Sequence, residues 1–280
     1  MIGRKFTLAN LAKNVLLLII ILVIINFTQL LVQSQQSNTA KIRFVQPALE
    51  RYPDNRGAPR DRKGAGTRGD CPAANKRLTA LVPLVSTTAN QKQAATQYVL
   101  SLTAAEHPTF WFYVPYVPKN INSVKFVLLN EKNNSVTKEP IAIAPPNTPG
   151  IISVSLPTTE KPLVVGQYYH WYLLIDCNPQ SRSEDIAVEG LVQRIPLNQD
   201  LARRLQAATS RQRVALYAQA GIWQDAITTL GELRRAKPQD PALAADWKDL
   251  LESVGLEEVA TEPLASLYKV NLKSPTSYIT

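Results

Sequence analysis

Histidine, cysteine and methionine are nearly missing from this chain of 280 residues, which holds two histidines, two cysteines and one methionine. His107 and His170 stand alone, and Cys71 and Cys177 are far apart, so no zinc set of ordinary spacing can be assembled from them. No H-E-x-x-H, C-x-x-C or G-x-S-x-G occurs, which removes the common metalloprotease, dithiol and serine-hydrolase signatures. Charge of one sign is missing where it would matter most. The formal net charge is +9, but residues 78–280 carry 18 basic and 18 acidic side chains. The excess sits in the lead-in, where residues 41–77 hold ten Lys/Arg against four Asp/Glu.

What is present begins with a long apolar run. Arg4, Lys5 and Lys13 precede Val15 to Ile25, an uncharged stretch that continues more weakly through Phe27, Leu30, Leu31 and Val32. A positive segment followed by an apolar one is the layout of an export signal. Asn26, Thr28 and Gln29 interrupt it, so residues 1–34 are expected to be a signal peptide, with a single membrane anchor as the alternative. Either way the rest is exported, to the periplasm or to the outer side of the membrane that anchors it. Nucleic acid is not an expected partner there. The basic lead-in, a solvated linker over 35–70, offers contact with an anionic membrane surface. An oxidising compartment makes a Cys71–Cys177 disulfide reasonable, two free thiols being the alternative. The bridge would close a loop of about 107 residues, worth roughly 4–5 kcal/mol in the chain-entropy model.

Gly64, Gly66 and Gly69 have the G-x-G-x-x-G spacing of a dinucleotide fingerprint. That motif needs a strand before it and a helix opening at its last glycine. Pro59-Arg60-Asp61 precedes it and Asp70-Cys71-Pro72 follows, so no nucleotide, and no other cofactor, is expected.

From Leu78 onward, eight short runs rich in β-branched and aromatic residues recur between Pro, Asn and Gly, the pattern of an antiparallel β-sandwich. Asn130 to Val136 reads as a hairpin loop, with Asn133 and Asn134 suited to left-handed positions. In "LVVGQYYHWYLLIDC", Leu163, Gly166 and Tyr168 suggest the tyrosine corner of immunoglobulin-like sandwiches. Alternation then puts Tyr169, Trp171, Leu173, Ile175 and Cys177 on the core face, and Tyr168, His170, Tyr172, Leu174 and Asp176 on the other.

After Pro196 the period becomes helical. Ser210 is the expected N-cap of one helix and Gly221 the residue closing it. A second helix runs from about Ile222 to Ala236, and a third starts from Asp240 and Pro241. Tyr217, Gly221, Trp223, Ala226, Leu230 and Pro238 follow the tetratricopeptide order of aromatic, small, aromatic, small, large apolar and proline. One such unit cannot stand alone, so it must pack on the sandwich or on a partner.

Candidate contact residues follow. Tyr217 and Trp223 are the expected partner-binding residues of the helical surface. In "HPTFWFYVPY", Trp111 and Tyr113 share one face and would suit sugar stacking if open, or burial beneath the helices if covered. Glu184, Asp185 and Glu189 offer carboxylate pairs, but a charged turn into a strand explains them more simply.

The blocks "GAGTRGDC", "PTFWFYVPY", "PGIISVSLP", "YYHWYLLIDC" and "YAQAGIWQDAITTL", in that order over about residues 57 to 262, resemble the cyanobacterial domain-of-unknown-function family 928. The resemblance implies an exported protein of a photosynthetic bacterium and brings no catalytic residues with it. The expectation is therefore an α+β chain: a β-sandwich over 71–196, a tetratricopeptide-like helical cap over 197–260 and a tail over 261–280. Its expected role is non-enzymatic, binding an envelope protein or, alternatively, cell-wall polysaccharide.

Overall fold

Proline and glycine punctuation cuts the chain into short strands, and the strands sort into two sheets. The computed structural model describes Ile21 and residues 41–47, 61–64, 71–86, 97–180 and 185–265. Apart from Ile21, the expected export segment 1–34 lies outside the described residues, as do Gly66, Gly69, Glu184 and the tail beyond 265. Among the described residues no helix is long and apolar enough to cross a membrane.

Strands β1 (Thr79–Ala80), β4 (Thr109–Val114) and β7 (Gly150–Ser155) form a small antiparallel sheet in the order β1-β4-β7. The larger sheet joins β2 (Leu84–Ser86), β3 (Gln97–Thr103), β9 (Ile186–Arg194), β8 (Tyr168–Asp176), β5 (Ser123–Asn130) and β6 (Ile141–Ile143), in that order. The purely antiparallel expectation is corrected at one place: β3 runs parallel to β9, Leu100 opposite Leu191. The apolar run from Leu78 splits into β1 and β2 at Pro83, which has no N–H to give a ladder. Asn133 alone takes the left-handed conformation in the hairpin loop, at φ 61°; Asn134 does not.

Strand β4 sits between two cores. Phe110 and Phe112 face the large sheet, with Phe110–Phe126 and Phe112–Trp171 ring centroids 4.7 and 5.5 Å apart. Trp111 and Tyr113 face the helices. Both faces are apolar because both are covered.

Four helices follow: α1 (Gln199–Ala207), α2 (Ser210–Gln219), α3 (Trp223–Ala236) and α4 (Pro241–Glu252). The cap of α2 is Thr209, not Ser210, in a reciprocal capping box with Gln212. Asp240 caps α4 with Pro241 in its first turn, and Gly221 ends the α2 turn at φ 73°. Asp246 of α4 is clamped by Arg211 of α2 through Nε and Nη2 at 2.6 and 2.9 Å.

The lead-in is not a free linker where it is described. Residues 62–64 pair with β1, through Gly64 N–H to Leu78 O and Ala80 N–H to Arg62 O, both 2.8 Å. Gly64 fits because a Cβ there would meet Ile186 at 2.8 Å. Arg62 donates to the carbonyls of Val82, Val254 and Gly255, and Lys63 and Lys76 pair with Glu258 and Glu262. Three of the basic side chains counted toward a membrane contact are thus engaged by the fold itself. The disulfide Cys71–Cys177 is present, its Cα atoms 5.2 Å apart, with Cys71 buried in the inter-sheet core.

Asp225, in the first turn of α3, accepts from Thr103 Oγ1 at 2.8 Å and from Ala104 N–H at 3.0 Å, joining α3 to the end of β3. Burial outweighs these bonds and raises its pKa above the ordinary carboxylate value. The fold therefore holds this proton more tightly than the unfolded chain does. The ionised group costs stability as pH climbs through the raised value. Asp225→Asn should be close to wild type near the ordinary carboxylate pKa and should gain on it as pH rises to neutrality. Urea unfolding from pH 4 to 8 measures this, and parallel stability curves would refute it.

Candidate functional site

The helical surface expected to receive a partner is already used within the chain. Trp223 is fully buried and donates from Nε1 to Leu81 O at 2.7 Å, which pins α3 to the segment after β1. Phe44 of the lead-in meets its ring edge-on, with centroids 5.2 Å apart. The same lead-in is held by Val45 N–H to Ala218 O and Phe44 N–H to Ser253 Oγ, each 3.0 Å. Pro47 lies so close to Gly221 that a Cβ there would approach it to 2.9 Å. Trp223, expected as a partner-binding residue, is instead covered by the chain's own lead-in, since an apolar hairpin face must bury against something. Tyr217 is half-buried, and burial raises its hydroxyl pKa.

Trp111 and Tyr113 are 1% and 4% exposed, which closes both to a stacked sugar. The covered alternative is the one that holds. Trp111 Nε1 donates to Thr228 Oγ1 at 3.1 Å, its ring meets Trp247 at 5.6 Å, and Gly231 of α3 lies against its face. For Tyr113 the burial also raises the hydroxyl pKa.

The outer face of the large sheet is different. Tyr168, His170 and Tyr172 of β8 alternate there, each half-buried, beside Glu189 and Gln193 of β9. Tyr172 Oη lies 2.9 Å from His170 Nδ1, and the two rings stack at 4.3 Å. Glu189 Oε2 lies 2.8 Å from His170 Nε2, although poorly aligned as a hydrogen bond. With the proton on Nε2, Tyr172 donates to Nδ1 and the imidazole faces the carboxylate. The result is a chain of hydroxyl, imidazole and carboxylate on the sheet's outer face, with the carboxylate end the more exposed.

The alternation of β8 already puts His170 and Tyr172 on this face. Glu189, named with Glu184 and Asp185 as a carboxylate of the charged turn, meets His170 only through the β8–β9 register, which sets Tyr172 opposite Glu189. Asp185 is half-buried just before the same strand, and Glu184 lies outside the described residues. His107, the other imidazole, donates from Nε2 to Glu160 O at 3.0 Å and ties down a loop. Among the described residues no group of three or more His, Cys, Asp or Glu side chains could hold a metal ion.

The corner before β8 also differs in detail. Val164 N–H donates to the hydroxyl of Tyr169 at 2.8 Å, so the bond back to the corner comes from Tyr169 rather than Tyr168. Tyr169 points inward and can reach the corner; Tyr168 points to the outer face.

No curated protein matches the sequence. Among solved structures, an AA10 LPMO from Photorhabdus luminescens is similar at 12% identity over 39% of this chain and 63% of its own, with a TM-score of 0.19, too slight a likeness to carry an argument. The profile of the Domain of Unknown Function DUF928 matches residues 63–264, and the chain belongs to that family.

Proposed function

We propose that this chain is an exported envelope protein whose body is a non-catalytic interaction module, and that its contact surface is the outer face of the large sheet. The observation that carries the reading is the partly exposed Tyr172–His170–Glu189 chain, whose His170 side chain is 13% and Glu189 side chain 40% exposed, set against the burial of Trp111, Tyr113 and Trp223. Aromatic and titratable groups left partly exposed on a sheet face are the material of a recognition surface.

Two finer features of the architecture support the reading. The strand order β3-β9-β8-β5-β6, with β3 parallel to β9, and the Tyr169 corner favour an immunoglobulin-like sandwich. Ala218 and Ala226, buried in one cluster with Trp223 and Leu230, favour a tetratricopeptide-like hairpin, used here as a prop. A disulfide suits an oxidising compartment, and the positive, apolar N-terminus suits export. Contact with anionic lipid rests on the lead-in's basic residues outside the described stretches.

A photo-crosslinking residue at position 172 of the full chain, expressed in a bacterial envelope, should give discrete protein adducts. One at position 203, an exposed site on α1, should not. Adducts from position 203 alone would move the contact to the helices and overturn the reading. Carbohydrate binding by the same face is the second reading, favoured by its partly exposed tyrosines. It requires salt-resistant co-sedimentation with cell-wall polysaccharide that Tyr172→Ala abolishes.

A further inference from the structure

Strand β5 turns back toward β6 through the loop Glu131-Lys132-Asn133-Asn134-Ser135, every residue of which is exposed. Asn130 pins the base of the loop. Its side-chain oxygen accepts from Lys132 N–H at 2.9 Å and from Asn134 N–H at 3.0 Å, and its backbone carbonyl accepts from Asn133 N–H at 2.9 Å. Asn133 takes the left-handed conformation at φ 61°, which asparagine tolerates better than most residues. Two residues on, the hydroxyl of Ser135 donates to Thr137 O at 2.6 Å. Asn-x-Ser without an intervening proline is the acceptor pattern for asparagine-linked sugar, and it belongs on the surface of exported proteins. Asn133 is the only asparagine in residues 41–280 with a serine or threonine at that spacing.

We infer that Asn133 is a glycosylation site whose donor is an oligosaccharide carried on a polyprenyl diphosphate. The site rests on the export reading, because such a donor is used on the outer side of the membrane. In the transfer, the side-chain nitrogen of Asn133 forms a bond to C1 of the first sugar, and the bond from C1 to the diphosphate oxygen breaks. The electron pair leaves on the diphosphate, and the amide proton goes to the medium. A transferase must reach the amide and the hydroxyl together, and a short hairpin loop with a fixed base presents both to solvent. Glu131, two residues before Asn133, puts a carboxylate on the same loop, a hold for a cationic side chain of the enzyme. Its Oε1 accepts from Tyr168 N–H at 3.0 Å, which sets the loop at the Tyr168 end of the outer sheet face. A glycan on Asn133 therefore borders the proposed contact surface.

The test incubates the full chain in detergent with a purified bacterial oligosaccharyltransferase and a polyprenyl-diphosphate oligosaccharide, and reads the product by mass spectrometry with peptide mapping. A mass increase of one glycan on Asn133 is expected. Asn133→Gly, which fits the left-handed position, should abolish it with an unchanged urea midpoint. Ser135→Ala should slow transfer about tenfold, the ordinary loss for one hydrogen bond, while Ser135→Thr retains it. Glu131→Gln, which keeps an acceptor for Tyr168 N–H, should slow it as well. Asn26-Phe27-Thr28 has the same spacing within the expected export segment, so the map must separate the two asparagines. No mass increase, an increase that survives Asn133→Gly, or unchanged transfer in both Ser135→Ala and Glu131→Gln would each overturn the site. Co-expression of chain, transferase and donor in a bacterium tests export separately. Modification in vitro but not in cells would sink the export reading and leave Asn133 standing as an acceptor.

Discussion

Replacing Trp111 by alanine should lower the free energy of unfolding by about 4 kcal/mol, the ordinary loss for a large aromatic removed from a packed core. Trp111 is fully buried where the small sheet meets the helices. Its loss opens a cavity between layers and removes both the edge contact with Trp247 and the indole N–H bond to the Thr228 hydroxyl. The close approach of α3 depends on Gly231, where a Cβ would lie 2.3 Å from the Trp111 ring. Gly231→Ala alone should therefore cost roughly 1–3 kcal/mol by overpacking. In the Trp111→Ala background the same methyl group would enter the cavity, so the two losses should not add. Urea unfolding of the four members of this cycle measures the coupling. A Trp111→Ala loss below about 1 kcal/mol, or strict additivity, would mean the helices do not rest on this ring.

Removing the disulfide by Cys71→Ser with Cys177→Ser should cost about 4 kcal/mol. The bridge spans 106 residues and ties the segment before β1 to the end of β8. Most of the expected loss is entropy regained by the unfolded chain, which no longer carries a large closed loop. The native contacts change little, because serine is nearly the size of cysteine; burial of a hydroxyl at position 71 adds a smaller cost. The urea midpoint should fall in the double variant and in the reduced wild type by similar amounts. A midpoint that moves under neither condition would show that the loop is already restrained without the bond.

Several elements were legible from residue spacing alone. Alternation along β8 separates Trp171 from His170 because successive Cβ atoms point to opposite faces, whatever lies beyond them. Asp240 with Pro241 starts a helix because the carboxylate caps free N–H groups that are its immediate neighbours. Gly221 ends one because a left-handed residue is needed there. The two cysteines were the only pair available to each other.

Other features depended on partners far along the chain. The run Phe110 to Tyr113 is apolar on both faces, so its spacing could not say whether Trp111 would meet water or α3. The parallel pairing of β3 with β9 brings together strands about ninety residues apart, and nothing in either run encodes direction. Tyr169 rather than Tyr168 reaches the corner because the inward face, not the order of two adjacent tyrosines, decides which hydroxyl is near Val164. The sequence by itself determined the local turns, caps, faces and the cysteine pair, since each rests on contacts within a few residues. Only the tertiary structure decided which apolar face is covered, that Ile42 to Pro47 closes the helical surface, and that Glu189 joins His170, because burial and register are set by packing between distant segments.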